Sequence, residues 1–480
     1  MITLTDIANR MIAQGAAKSM TDRQFMEKEL TKFLNSPERQ MMIAGEKYYN
    51  GNHDILQKER TIYDGKKQTS IRLENLPNNK IVDNQYRKMV NQKKNYLMGK
   101  PMTVTTTNET YGEYMQKIFN RRFRRMLKNL AGDAINCGKA WLFVGYDEEG
   151  ELTFRLFRGY EVKPFWKDAE HTQLEAALRA YEVQVYEGEK EKTVYKVEQY
   201  GPDGIRYFDR TDGGELIPCE PYELPYITLS VDDKVEGYNW SQIPLICFKY
   251  NESEIPLIKA VKSLQDGINR IESSFEDNME EDARNTILVI VNYDGQNLSE
   301  FRQNLAAYGA VKVKGDGDVR TLQVEVNAEN YKTILKIFKD ALIENAMGYD
   351  AKDDRMNGNP NQMNIQSMYS DIDLDADEME TEFQASLEEL TWFINCHLNN
   401  IGLGDWSEEC VDFIFNRNVM INESQVIENI KNSVGLTSNK TLLSKHPYVD
   451  DVDEELEQIK LEKQAELDDM GFNFGGANND

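Results

Sequence analysis

The sequence predicts an α+β protein that is mainly helical, and three observations carry that reading. Apolar residues recur every three or four positions over long stretches between residues 253 and 402, the mark of extended amphipathic helices. Between 140 and 250 the hydrophobic period switches to two, and turn clusters such as Asp-Glu-Glu-Gly at 147–150 and Gly-Pro-Asp-Gly at 201–204 separate the runs, which predicts an antiparallel meander. At 285–327, between two of the long helices, short apolar runs surround a helical segment, which reads as a compact α/β insert.

In chain order, residues 21–50 predict two helices. Thr21–Asp22 caps the first, and Ser36–Pro37–Glu38 supplies an N-cap with proline at the first helical position of the second. Residues 56–78, with Lys58, Arg60, Lys66, Lys67 and Arg72, read as an exposed loop. A helix from about Ile81 to Met98 places Val82, Tyr86, Val90 and Leu97 on one stripe, and Gly99–Lys100–Pro101 stops it. Residues 102–107 are strand-like, and 110–137 reads as helix, with Arg121, Arg122, Arg124, Arg125 and Lys128 in a basic run. Strands follow at 140–146, 152–157, 178–185, 193–200, 205–209 and 226–230.

The first long helix carries Ile258, Val261, Leu264, Ile268, Ile271, Phe275 and Met279 on its seam. The insert predicts strands at 286–291, 310–313 and 322–326 around a helix at 298–307. A second helix follows with Tyr331, Leu335, Phe338 and Leu342, and Gly348–Gln362 is the strongest turn cluster in the chain. The third helix repeats the three-and-four rhythm from Ile365 through Phe383 to Leu398 and Ile401, a rod of about 55 Å at about 1.5 Å per residue. Seams this long and narrow suit packing against copies of the same chain. A strand at 411–415, helices at 423–433 and 451–467, and a disordered tail complete the prediction.

Net charge is −26 over 480 residues, which argues against tight wrapping of nucleic acid while allowing a surface past which DNA slides. Five scattered cysteines lack metal-ligand spacing and predict free thiols in a reducing compartment. No apolar run reaches membrane-spanning length. No phosphate-binding, dinucleotide-binding, zinc-protease or nucleophile-elbow motif occurs, so neither cofactor nor catalytic residue is predicted. One carboxylate series, Asp371, Asp373, Asp375 and Asp377 with Glu382, superficially fits a calcium loop. Its sixth position is Ala376 where the turn needs glycine, and Ile372, Ala376, Met379 and Phe383 stay in register with the flanking helical seam, so no metal is predicted. Cys137–Gly138 with Trp141 reads as a packed thiol.

Four stretches together give the chain a family likeness: Lys47–Ile55, Asn78–Pro101, Asp133–Leu142, and the helix–insert–helix–loop–helix order of 249–402. In these the chain resembles the portal proteins of long-tailed bacteriophages of Gram-positive bacteria. The resemblance implies a portal fold: an N-terminal helical segment at 1–35, a wing at 36–250 joined by a long helix at 363–405, and stem helices at 251–284 and 328–348. It places the clip at 285–327, a tunnel loop at 349–362, and a crown with an acidic tail at 406–480. It implies a non-enzymatic ring, typically of twelve subunits, at one capsid vertex, built in the host cytoplasm and carried in the virion. Its partners would be the terminase large subunit, a head-completion adaptor, capsid and scaffolding proteins, and double-stranded DNA passing without sequence specificity; no membrane is implied. Asp350, Lys352, Asp353, Asp354, Arg355, Asn357 and Asn359 would face the channel. Val261, Leu264, Ile268, Ile271, Phe275, Leu335, Phe338 and Leu342 would pack the stem between subunits, and Arg121, Arg122, Arg124 and Arg125 would touch a subunit or DNA. The alternatives are a metal-dependent DNA-processing enzyme using the 371–382 carboxylates and a non-portal structural adaptor.

Overall fold

A computed structural model describes residues 21–462 apart from 65–68, 73–75, 189, 232–233, 283–286, 294–312, 323–327, 351–361, 418–422, 444, 450–451 and 453–454. Two compact units are present: Met1–Met347 with Asp375–Asn416, and Gly348–Leu374 with Arg417–Asp480. The predicted helix at 298–307 and the C-terminal GFNFGGANND lie outside the described residues.

The first unit opens with α1 (Asp22–Leu34) and α2 (Pro37–Tyr49), which start where the caps predict. Thr21 and Gln24 form a reciprocal capping box, and Ser36 Oγ accepts from Arg39 N at 3.1 Å. The stretch predicted as an exposed loop instead holds a short 3-10 turn at Asp54–Gln57 and a hairpin, β1 (Thr61–Asp64) with β2 (Thr69–Arg72). Helix α3 begins at Gln85, four residues later than predicted, and ends at Met98 as predicted; the late start follows from the 79–83 backbone donating to side chains elsewhere. The predicted 110–137 helix is two, α4 (Glu109–Ile118) and α5 (Arg121–Cys137). Asn120 breaks the run by accepting from Arg122 N at 2.8 Å and Phe123 N at 3.2 Å, the geometry of a fresh N-cap. Strand β3 (Thr103–Thr106) lies between α3 and α4.

The predicted meander resolves into two sheets and a hairpin. The first sheet has three antiparallel strands in the order β13–β4–β5, with β4 (Lys139–Tyr146) between β5 (Leu152–Phe157) and β13 (Leu245–Lys249). The second is a true meander of five strands: β6 (Val162–Trp166), β7 (Leu174–Glu187), β8 (Lys190–Gly201), β9 (Gly204–Arg210) and β10 (Leu216–Leu224). The sequence reading missed β6, β10, β13 and the strand at Lys234–Tyr238; of these β6 and β10 are edge strands interrupted by proline (Pro164; Pro218 and Pro221). Proline lowers the strand signal of a run, yet an edge tolerates it because one side of the ladder needs no donor. Met26 and Leu30 of α1 cover this sheet against Leu178, Ala180, Val197, Phe208 and Leu216. The hairpin pairs β11 (Ile227–Val231) with β12 (Lys234–Tyr238).

After β13 come α6 (Leu257–Asp282), β14 (Ile287–Tyr293), β15 (Val313–Leu322), α7 (Ala328–Asn345) and α8 (Gln362–Asn400). The strands predicted at 310–313 and 322–326 lie outside the described residues except at Val313 and Leu322, and between these the chain forms β15, which was not predicted. It pairs antiparallel with β14 from Asp318 to Leu322 and again at Val313, and the register shifts across the Lys-Gly-Asp-Gly residues 314–317, where the glycines accommodate the irregularity. In α8, 39 residues long, the predicted seam is buried from Ile365 to Leu398, and Ile401 falls past the helix end, exposed. Phe383 of α8 meets Phe248 of β13 edge-on at 5.1 Å, and Ser386 Oγ donates to the Cys247 carbonyl at 2.7 Å. Strand β16 (Val411–Ile414) pairs with β3. In the second unit α9 (Glu423–Asn432) and α10 (Asn439–Leu443) follow, and 455–462 is helical.

Candidate functional site: a polar ladder beneath the long helices

Helix α6 buries two faces. One is the apolar seam: Ile258, Val261 and Ile268 are buried, while Leu264, Ile271 and Phe275 are half-buried. The α7 side includes Gly267, where a Cβ would collide with the Phe338 ring, so the glycine allows the two helices to approach closely. Phe275 packs on Tyr331 at 5.1 Å, and Asn278 Nδ2 donates to Tyr331 Oη at 2.8 Å.

The other face is polar and, unexpectedly, more deeply buried. Gln265, Asn269, Ser273 and Asp277 recur every four residues, and all four are inaccessible or nearly so. They satisfy backbone donors of the 79–83 stretch and of the first turn of α3. Asp277 Oδ1 accepts from Asn79 N at 2.6 Å, Ser273 Oγ from Ile81 N at 2.9 Å, Asn269 Oδ1 from Asp83 N at 3.1 Å, and Gln265 Oε1 from Tyr86 N at 2.9 Å. Gln265 Nε2 returns a bond to the Asp83 carbonyl at 2.7 Å. Buried backbone groups without a sheet partner must find one, and here a helix side-chain row supplies it. Lysines flank the ladder: Lys58 to Asp277 at 2.6 Å, Lys262 to Asp54 and Asp266 at 2.6 and 2.8 Å, and Lys339 of α7 to Asp83 and Glu272 at 2.6 and 3.3 Å.

His53 joins the ladder from the N-terminal side. Its ring stacks on Tyr48 at 4.4 Å, Asn269 Nδ2 donates to Nδ1 at 2.8 Å, and Nε2 lies 3.0 Å from the Tyr48 carbonyl. An amide donor on Nδ1 requires the proton on Nε2, and burial lowers the pKa of the ring, which keeps it neutral. Tyr86 Oη donates to Asn136 Oδ1 at 2.8 Å, and Tyr250 N donates to the Gly138 carbonyl at 2.9 Å. The four stretches that carry the family likeness, distant in sequence, therefore meet around the base of α6. The sequence reading named the apolar seam of α6 but not this row; its signal was the four-residue spacing of short polar side chains.

The other predicted site residues distribute as follows. Lys352, Asp353, Asp354, Arg355, Asn357 and Asn359 lie outside the described residues; Asp350 is half-buried. Val261, Ile268 and Leu342 are fully buried within one chain, so these three serve the interior of the subunit. Among the described residues, the large apolar side chains exposed on these two helices are Met279 at 50 %, Ile334 at 44 % and Ile337 at 58 %. Arg121, Arg122, Arg124 and Arg125 are exposed on the first turns of α5. The carboxylates at 371–382 do not converge: Asp373 meets Arg417 at 3.1 Å, Asp375 meets Lys93 at 2.7 Å, and Glu382 lies 4.0 Å from Lys249. Among the described residues no three His, Cys, Asp or Glu side chains form a metal-sized cluster. Cys137 is buried with Sγ 3.9 Å from the Met42 carbonyl, and burial pushes its thiol pKa well up, as an inert packed thiol requires. All five cysteines are free. No helix among the described residues is long and apolar enough to cross a membrane.

Residues 35–469 match the phage portal protein family described as SPP1 Gp6-like. The portal protein of Bacillus phage SPP1 is 28% identical over 466 residues, covering 96% of this chain and 90% of that protein. The portal protein of Clostridium phage phiCD119 is 27% identical over 441 residues, covering 89% and 93%. Among solved structures, the neck of a native gene transfer agent particle, computed with C12 symmetry, aligns with a TM-score of 0.40 at 12% identity, covering 74% of this chain and 88% of that one. With the family matched over nearly its whole length, the chain belongs to the SPP1 Gp6-like phage portal proteins.

Proposed function

We propose that the chain is the subunit of a ring at one capsid vertex, through which double-stranded DNA enters during packaging and leaves at ejection. Membership of the portal family over residues 35–469 carries this reading. In it, 36–250 with the long helix at 363–405 is the wing, and 251–284 and 328–348 are the stem. The clip is 285–327, the tunnel loop 349–362 and the crown 406–480. The ring has no catalytic activity of its own; a terminase motor docks on the clip and hydrolyses ATP, and a head-completion adaptor takes over the same face later.

A closed ring repeats one heterologous contact around its axis, and exposed apolar surface on a helical pair suits that contact. Ile334 and Ile337 of α7 and Met279 of α6 meet the requirement. The arginines at the start of α5 oppose the helix dipole, with no acidic residue in that first turn. In a chain of net charge −26 their role is contact with the acidic surface of the adjacent subunit, which offsets repulsion between like-charged copies. Lys352 and Arg355 touch passing phosphates weakly and without base readout.

Native mass measurement and electron micrographs test the reading. Wild-type protein forms closed rings with a hole wide enough for duplex DNA, and Ile337→Asp yields folded subunits that do not close. A wild-type chain that stays monomeric at micromolar concentration under assembly conditions would defeat the proposal. Lys352→Ala with Arg355→Ala leaves rings intact and lowers DNA packaging or retention; unchanged packaging removes the loop from the account.

A further inference from the structure

Lys93, on α3, is buried with its side chain only 2 % exposed. Its ammonium lies 2.7 Å from Asp375 Oδ2 and donates to the Met347 carbonyl at 3.3 Å. Asp375 Oδ1 accepts a second bond from Tyr250 Oη at 2.5 Å, and Tyr250, just past β13, is itself buried. An ammonium stripped of water is unfavourable unless its donors are used. Here they are used on two groups with a particular place in the chain. Met347 is where the backbone leaves the first compact unit, and Asp375 is where it returns. Met347 also sits in the left-handed region at φ 48°, which a methionine holds only when its surroundings enforce it.

We propose that Lys93 is a positioning residue: one buried cation clasps the exit and the return of the 348–374 segment and fixes the separation of its two roots. The consequence for DNA rests on the portal reading, since the loop with Lys352 and Arg355 is strung between those roots. The clasp itself requires only a folded subunit. It was invisible in the sequence because its three members come from α3, the turn after α7 and the body of α8.

Trypsin provides the test, because Lys352 and Arg355 are cleavage points between the two roots. Full-length wild type, Lys93→Met, Asp375→Asn and the exchanged pair Lys93→Asp with Asp375→Lys are digested natively. Cleavage after Lys352 and Arg355 is then timed by mass spectrometry against cleavage after Arg125. Release of the clasp raises that ratio by about tenfold in Lys93→Met, as expected for local opening, and the exchanged pair brings it back toward wild type. A ratio unchanged in both Lys93→Met and Asp375→Asn overturns the proposal, and so does equal acceleration at every site, which reports global destabilisation. If Lys93→Met does not fold, Asp375→Asn decides the matter, because its amide oxygen still accepts from Tyr250. Ring formation by the same wild-type preparation is scored separately: missing rings count against the portal reading and leave the cleavage ratio interpretable.

Discussion

Helices α6 and α8 are both long, and they bury themselves by opposite chemistries. Helix α8 follows the expected solution, an apolar seam from Ile365 to Leu398 whose energy comes from removing that surface from water. Helix α6 spends its deepest face on Gln265, Asn269, Ser273 and Asp277, each bonded to the 79–86 backbone. Apolar contact is non-directional, so it stabilises without specifying axial position to high accuracy. Hydrogen bonds to a run of backbone donors are directional, so the ladder sets α6 in register against the chain that precedes α3.

The contrast can be broken from either side. The largest effect is expected in α8. Phe383→Ala opens a cavity against Phe248 and lowers stability by about 3–5 kcal/mol, read as a fall in the denaturant midpoint at unchanged slope. Phe383→Leu recovers most of the loss, because an apolar seam accepts a similar volume. In α6, Asn269→Ala strands the Asp83 N–H, one donor of Gln265 and the His53 acceptor, at a cost of about 2–4 kcal/mol. Asn269→Leu fills the same volume and does not recover it. Recovery by leucine at 269 would make α6 an ordinary packed helix and erase the comparison.

These differences set what could be read in the sequence. The seam of α8, the caps at Thr21 and Ser36, and the helix–insert–helix order are local patterns, and periodicity and side-chain chemistry suffice for them. The ladder is as periodic as the seam, but Gln, Asn, Ser and Asp on a helix read as a solvent face until a partner covers them, and that partner lies nearly two hundred positions earlier. The same non-local bonding displaced the start of α3 from Ile81 to Gln85: the 79–83 backbone gives its donors to α6 instead of to a helix. Asn120 is an N-cap inside a run whose apolar rhythm predicts one helix, and that rhythm masks the break. Of the candidate site, the apolar seam of α6 was legible, whereas the lysine clasps and the burial of Val261, Ile268 and Leu342 within one subunit depend on tertiary packing that spacing does not encode.

The smallest effect distinguishes how the two helices handle a buried polar group. Gln265 of α6 is neutral and bonded at both ends of its amide. Glu389 of α8 is a carboxyl that burial alone raises from 4.5 to about 7. Between those values the folded chain holds a proton that the unfolded chain has released. Stability therefore falls as pH rises from about 4.5 to about 7, and the full penalty applies above that range. Glu389→Gln gives α8 the neutral amide that α6 uses. It should stabilise the subunit at pH 8 by about 1–3 kcal/mol, discounted for partial exposure, and change little at pH 4. Chemical denaturation of wild type and variant at both pH values measures the difference, and a gain that does not grow with pH rejects the assignment. Repeating the pair on assembled rings sharpens it. A gain in monomers that reverses in rings means that a cation of the neighbouring subunit settles on Glu389, and α8 then completes its polar pairing between copies where α6 completes it within one.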